Sequence, residues 1–117
     1  MTELSAKHCK ACEGGVAPLT RKEAEHLLTK LKKGWELDPD AIEIECTFAF
    51  KNFYHTMAFV NAVAYVANIE NHHPDLEVSY NRCVVRYSTH AIKGLSENDF
   101  ICAAKVDNLI EMYQKDK

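Results

Sequence analysis

Side chains able to do acid-base chemistry gather in "NHHPDLEVSYNRCVVRYSTH", residues 71–90, which holds three of the chain's six histidines. His72 and His73 are adjacent, Pro74 follows them, and His90 closes the stretch. An imidazole titrates near about 6.5 when unperturbed, so both protonation states are available around neutrality. One imidazolium can then protonate a leaving oxygen while a neutral ring takes a proton elsewhere, a division of tasks that suits elimination or tautomerisation on a small heterocycle. Two other readings stand beside it. Three histidines can hold zinc, although adjacent residues normally diverge rather than converge on one ion. Histidines at the end of a helix can also be surface residues without a task.

Convergence requires a hairpin. "DLEVSY" and "RCVVRYST" read as strands joined at Tyr80-Asn81, where asparagine tolerates the left-handed backbone of a tight turn. With those two residues central, Ser79 faces Arg82, Glu77 faces Val84 and Asp75 faces Arg86. Continuing the register sets His73 level with Ser88 and His72 level with Thr89, with His90 next. Opposed residues in such a ladder lie about 5 Å apart, so all three rings reach one small ligand.

The flanking elements follow from capping and periodicity. Thr20 and Glu23 form a capping box, Leu27, Leu28 and Leu31 an apolar stripe, and Gly34 a stop, giving a helix over about Thr20–Lys33. Trp35–Leu37 is a short strand and "DPD" a turn. In "AIEIECTFAF", Ile42, Ile44, Cys46, Phe48 and Phe50 alternate with Glu43, Glu45 and Thr47, a strand with one wet face. Phe53–Asn71 is a helix with Phe53, Met57, Val60 and Ala64 on one side and Phe59, Val63 and Val66 on another. A sheet covers only one of these sides, which predicts a subunit interface on the second. Pro74 turns the chain to extended geometry. In the last helix Ser96 is the cap, Asp99 stands at N3, and Cys102, Val106, Leu109 and Tyr113 form the buried stripe. The expected fold is α+β, a four-stranded antiparallel sheet with three helices on one face, in the order α-β-β-α-β-β-α.

The whole chain has 117 residues, 47% hydrophobic and 26% charged, with a net charge of −3. That length suits one domain, here residues 20–117, behind a flexible, polar N-terminal arm at 1–19. The charge gives no strong pull toward nucleic acid or anionic membrane. Neither a membrane-length apolar run nor a signal-peptide core is visible, so the expected location is cytoplasmic. Five cysteines, Cys9, Cys12, Cys46, Cys83 and Cys102, fit reduced thiols better than a disulfide framework. "HCKAC" offers half a zinc site or a redox pair, yet no second cysteine pair follows at a usable spacing.

Taken jointly, His72-His73-Pro74, Tyr80-Asn81, Ser88-Thr89-His90 and Gly94-Leu95-Ser96 with Asp99 resemble the signature of the pterin-4a-carbinolamine dehydratases. "FAFKNF" at 48–53 and Trp35 after Gly34 are similar to the same family, and the likeness runs from about residue 20 to 113. It implies dehydration of 4a-hydroxytetrahydrobiopterin to quinonoid dihydropterin, recycling the pterin used by aromatic amino acid hydroxylases such as phenylalanine hydroxylase. A homodimer or homotetramer is implied, and no cofactor or metal. His72 and His90 would take the acid-base positions and His73 the pterin-binding histidine. Asn71, Ser88, Thr89 and Ala91 would border the pterin, and Asp99 would be a carboxylate near the site, with Glu70 a further supporting candidate.

Two positions depart from that pattern. Asn68 stands where many relatives carry a glutamate one turn before the first histidine, with Glu70 nearby, and Leu76 stands where several carry an aromatic residue. An alternative reading is an oligomerisation or regulatory module, a transcriptional coactivator-type partner, because mammalian members also serve in that way.

Overall fold

A computed structural model describes residues 3–10 and 17–115. Their elements are helix α1 (Arg21–Leu28), strands β1 (Glu36–Leu37) and β2 (Ile44–Ala49), helix α2 (Phe53–Glu70), strands β3 (Asp75–Ser79) and β4 (Arg82–Tyr87), and helix α3 (Glu97–Lys115). Short 3₁₀ turns occur at Leu4–Ala6 and His90–Ile92. The four strands are antiparallel in the order β1-β2-β4-β3, so the expected α-β-β-α-β-β-α arrangement is the one observed.

Alternation along β2 decides which face of the sheet is dry. Ile44, Cys46 and Phe48 are buried and lie opposite Tyr87, Val85 and Cys83 of β4. With Phe59 and Val63 of α2 and Phe100, Ile101, Val106 and Leu95 around α3, they form the core. The other face is laced with charge: Arg86 meets Glu45 and Glu77 at 3.4 Å each, and Arg82 meets Glu77 at 3.5 Å. Asp75 is the cross-strand partner of Arg86, as the register argument gives, but the guanidinium reaches those two glutamates.

Two boundaries differ from the sequence reading for physical reasons. Helix α1 ends at Leu28 instead of continuing to Lys33, because Thr29, Lys30 and Leu31 each donate to the carbonyl three residues back and tighten the chain into turns. Gly34, at φ 115°, sits in the following loop, in a conformation that favours glycine. Ile42 lies outside β2 and is 46% exposed. There the Asp38 carboxylate captures the amides of Ile42 and Glu43 at 2.7 and 2.8 Å, and a side-chain turn replaces the first strand residues.

Within the polar lead-in, Glu3–Lys10 lies against α2 and α3, with Leu4 buried in the core cluster. Lys105 Nζ donates to the Ser5 carbonyl at 2.8 Å, and Lys7 pairs with Glu97 at 2.9 Å. Among the described residues, no helix is long and apolar enough to cross a membrane.

Candidate active site

The junction between α2 and β3 turns on a single residue. Asn71 caps α2 in the left-handed conformation, φ 50°, which asparagine accepts more readily than most residues. The next amide, that of His72, still bonds back to Ala67 at 3.2 Å. Pro74 then holds the chain extended into β3, leaving His72 and His73 on the corner. Across the sheet, β4 ends at Tyr87, and Thr89 pairs with Gly94 around the turn that carries His90. A Cβ at Gly94 would come within 2.6 Å of the Pro18 ring, so only glycine lets this turn close against Pro18.

The two corners face each other across a cleft of about 510 Å³, within the range of small-ligand sites. Asn71, His72 and His73 line one side, and Ser88, Thr89, His90 and Ala91 the other. All seven are residues that the sequence suggests would border a ligand. Glu70 and Ile69 from the end of α2, Asn98 of α3, and Cys9 and Lys10 of the N-terminal segment complete the lining. The zinc or redox reading of "HCKAC" depends on Cys12, which lies outside the described residues.

The three imidazoles are held differently. The His72 side chain is only 13% exposed, and its Nε2 lies 2.7 Å from Oδ1 of the fully buried Asp99. The other carboxylate oxygen, Oδ2, accepts the Thr89 hydroxyl at 2.8 Å and the Ser96 amide at 3.0 Å. A carboxylate offers only acceptors, so His72 Nε2 carries the proton and Nδ1 is its free nitrogen. The flat face of the ring stacks on Tyr87, with centroids 5.9 Å apart and planes 7° from parallel. His73 and His90 are exposed at the cleft. One ring is thus fixed in tautomer and orientation, while two border the same space with freedom to adjust.

Asp99 gains its position from its place in α3. As the third helical residue it reaches back to the Ser96 amide, half of a capping box, and burial then turns its second oxygen toward His72. Ser96 Oγ and Thr89 Oγ1 share a hydrogen bond of 2.8 Å, which ties the His90 turn to the same helix end. Glu70 is a carboxylate of another kind. Burial pushes it up, but the Cys9 amide at 2.7 Å, His8 at 2.9 Å and Lys105 at 3.7 Å outweigh that and hold it below the usual carboxylate range. Its described bonds go to the N-terminal segment and α3, and none goes to the three histidines. Asn68, at the departure noted in the sequence, is exposed on α2 and absent from the lining.

Sequence reasoning missed Cys9, Lys10, Ile69 and Asn98 as lining residues. "HCKAC" carried a signal for the first two, read there as metal or redox chemistry. Asn98 carried none.

The chain is thus a small α+β domain with a histidine-lined cleft between a helix end and a hairpin. Residues 17–109 match the family model for pterin 4 alpha carbinolamine dehydratase, and the chain belongs to this family. A protein of Nitrosomonas eutropha, provisionally named as a pterin-4-alpha-carbinolamine dehydratase, is 61% identical over 108 residues, covering 92% of this chain and 94% of that one. One of Legionella pneumophila with the same provisional name is 57% identical over 109 residues, covering 93% and 96%. Among solved structures, a transcriptional coactivator/pterin dehydratase from Brucella melitensis superposes with a TM-score of 0.74 at 32% identity, covering 79% of this chain and 97% of that one. A pterin dehydratase-like protein identified as a RuBisCO assembly factor in the alpha-carboxysome shares the fold, with a TM-score of 0.57 at 23% identity, covering 65% and 88%.

Proposed function

We propose that the cleft dehydrates 4a-hydroxytetrahydrobiopterin to quinonoid dihydropterin, returning the oxidised cofactor of an aromatic amino acid hydroxylase to its recycling path. The observation that carries this reading is the gathering of His72, His73 and His90 around one cleft, with His72 anchored on buried Asp99. In the reaction the C4a–O bond breaks, the departing hydroxyl takes a proton to leave as water, and N5 loses its proton as the C4a–N5 double bond forms. A histidine pair divides these two transfers: an imidazolium gives the first proton and a neutral ring accepts the second. His72 and His90 take these roles and His73 holds the pterin. Asn71, Ser88, Thr89 and Ala91 border the ring, and Asp99 supports His72. No step calls for a metal or an organic cofactor.

The test generates the carbinolamine with phenylalanine hydroxylase and follows the quinonoid product with and without the protein. Wild type should exceed spontaneous dehydration, and His72→Ala and His90→Ala should each remove most of that excess. A wild type no faster than the buffer sinks the enzymatic reading. If the wild type is active and both variants match it, the residue assignment is wrong.

Self-association, as a homodimer or homotetramer, belongs to the same proposal. On α2, Tyr54 is 78%, Tyr65 68% and Ile69 57% exposed, an apolar surface on one side of the helix that a second copy would cover. A coactivator-type partner on this surface is the second reading, supported by the likeness to the Brucella melitensis transcriptional coactivator/pterin dehydratase.

A further inference from the structure

One wall of the cleft is left unexplained by the histidine chemistry. Cys9 and Lys10 border the cleft, yet they precede the stretch matched by the family model, which begins at residue 17. Their backbone is gripped from two helices. The buried Glu70 accepts the Cys9 amide at 2.7 Å, and Asn98 clasps Lys10 on both sides, Oδ1 accepting its amide at 3.0 Å and Nδ2 donating to its carbonyl at 2.6 Å. Cys9 Sγ also lies 3.5 Å from Cys102 Sγ. Burying a carboxylate and an amide costs free energy unless they are bonded, and here both are used to fix a main chain at the edge of a cavity.

This grip presents a lysine. Lys7 and Lys105, the neighbouring ammonium groups, are paired with Glu97 and Glu70. Lys10 is exposed at the cleft, and among the described residues its Nζ has no ion-pair or hydrogen-bond partner. An ammonium has three donors and no acceptor, so the ligand atom it would take is an oxygen acceptor. We propose that Lys10 is a substrate-binding residue, held in place by Glu70 and Asn98 as positioning residues, and that its ammonium donates to an oxygen of the bound pterin. The oxygen belongs either to the ring carbonyl or to a hydroxylated side chain at C6. This inference rests on the dehydratase reading.

Steady-state dehydration by Lys10→Ala, Lys10→Arg, Asn98→Ala and the Lys10→Ala/Asn98→Ala double variant tests it, with 6-methyl and 6-dihydroxypropyl carbinolamines as substrates. One exposed charge-assisted hydrogen bond corresponds to about a tenfold change in affinity. Lys10→Ala should therefore raise KM about tenfold, with the loss in KM rather than kcat, and Lys10→Arg should recover most of it. Asn98→Ala should move KM in the same direction, and the double variant should be no worse than Lys10→Ala alone. An effect on both substrates assigns the ring carbonyl, and one confined to the dihydroxypropyl compound assigns the side chain. Affinity for fully oxidised biopterin, read by its own fluorescence, repeats the comparison without turnover. A wild-type enzyme that turns over while Lys10→Ala leaves KM and biopterin affinity untouched overturns the role of Lys10 and leaves the dehydratase reading standing. A wild type that neither accelerates dehydration nor binds biopterin removes both.

Discussion

Replacing Asp99 by Asn keeps the shape of the side chain and changes only what one edge of it can offer. The residue is fully buried and meets three donors, at 2.7 Å from His72 Nε2, 2.8 Å from Thr89 Oγ1 and 3.0 Å from the Ser96 amide. An asparagine oxygen can keep the Thr89 and Ser96 bonds, now without charge assistance. Its amide nitrogen then faces His72 Nε2 and can only donate, so the imidazole must accept there and move its proton to Nδ1. Two weakened bonds and one inverted bond together cost roughly 2 kcal/mol, because bonds to a charged group are worth about 1.5–3 kcal/mol and neutral ones about 1. The kinetic effect is larger than the structural one. With the tautomer reversed, the His72 nitrogen left unbonded by Asp99 carries a proton instead of a lone pair, and on the proposed mechanism most of an acid-base contribution of about 10²–10⁴ should be lost.

The expected result for Asp99→Asn is a fall of about 100-fold in the catalysed dehydration rate, with a folded protein whose urea midpoint falls by the equivalent of roughly 2 kcal/mol. Nitrogen-15 chemical shifts of the histidine ring should report the His72 proton moving from Nε2 to Nδ1. The reasoning fails if the variant loses turnover while the His72 tautomer stays as it was, because the loss would then have another source. It also fails if the tautomer changes and turnover does not.

Burial pushes the Cys46 thiol up to about 12 and the Cys83 thiol up to about 11, so at pH 8 the folded protein should resist an aromatic disulfide reagent at both positions and react fully in denaturant. Rapid labelling of Cys46 in the native protein would contradict this. Glu70 is held below its ordinary 4.5, so its contribution is present above that value and is lost as pH falls through the lower folded value. Protection of the Cys9 amide against hydrogen exchange, relative to its intrinsic rate, should therefore fall below about pH 4.5 before global unfolding, and Glu70→Gln should abolish that pH dependence; an unchanged profile in the variant refutes the assignment. Tyr65→Glu, at a site 68% exposed on α2, should lower the mass seen by light scattering without lowering thermal stability much. An unchanged mass counts against the α2 surface as the interface.

What the sequence conveyed depended on how local the cause was. The β3–β4 register is set by a two-residue turn, and the pairs Ser79↔Arg82, Glu77↔Val84 and Asp75↔Arg86 are those observed. The capping box at Thr20 and Glu23 is likewise local and present as read. Errors came where a side chain captured the backbone over a few residues. Asp38 ended the β2 alternation before Ile42, and the Thr29 turn stopped α1 although leucines continued the apolar stripe. The N-terminal wall was illegible for a different reason. Its contacts join residues some 60 to 100 positions apart, Cys9 to Glu70 and Lys105 to Ser5, and hydrophobic periodicity carries no record of such pairings. Phe59 and Val63, which share one side of α2 in the periodicity, are 6% and 0% exposed and belong to the core, so any association of α2 must use residues that stay exposed, such as Tyr65 and Ile69.

The unequal anchoring of the three histidines has a consequence for the proposed chemistry. A ring stacked on Tyr87 and bonded to Asp99 has surrendered its rotational freedom during folding, so no ordering cost falls on the reaction step when His72 acts. Three equally rigid imidazoles would demand a substrate already in their geometry, although C4a changes from tetrahedral to planar as the hydroxyl leaves. Exposed His73 and His90 can follow that change, and the Thr89–Ser96–Asp99 bonds keep the His90 turn tied to the support that holds His72. Loosening that tie with Thr89→Val should then impair both sides of the cleft together, since one carboxylate oxygen serves the turn and the other serves the ring. A site of independent histidines would not couple them, and a double-mutant cycle between Thr89 and His72 distinguishes the two arrangements.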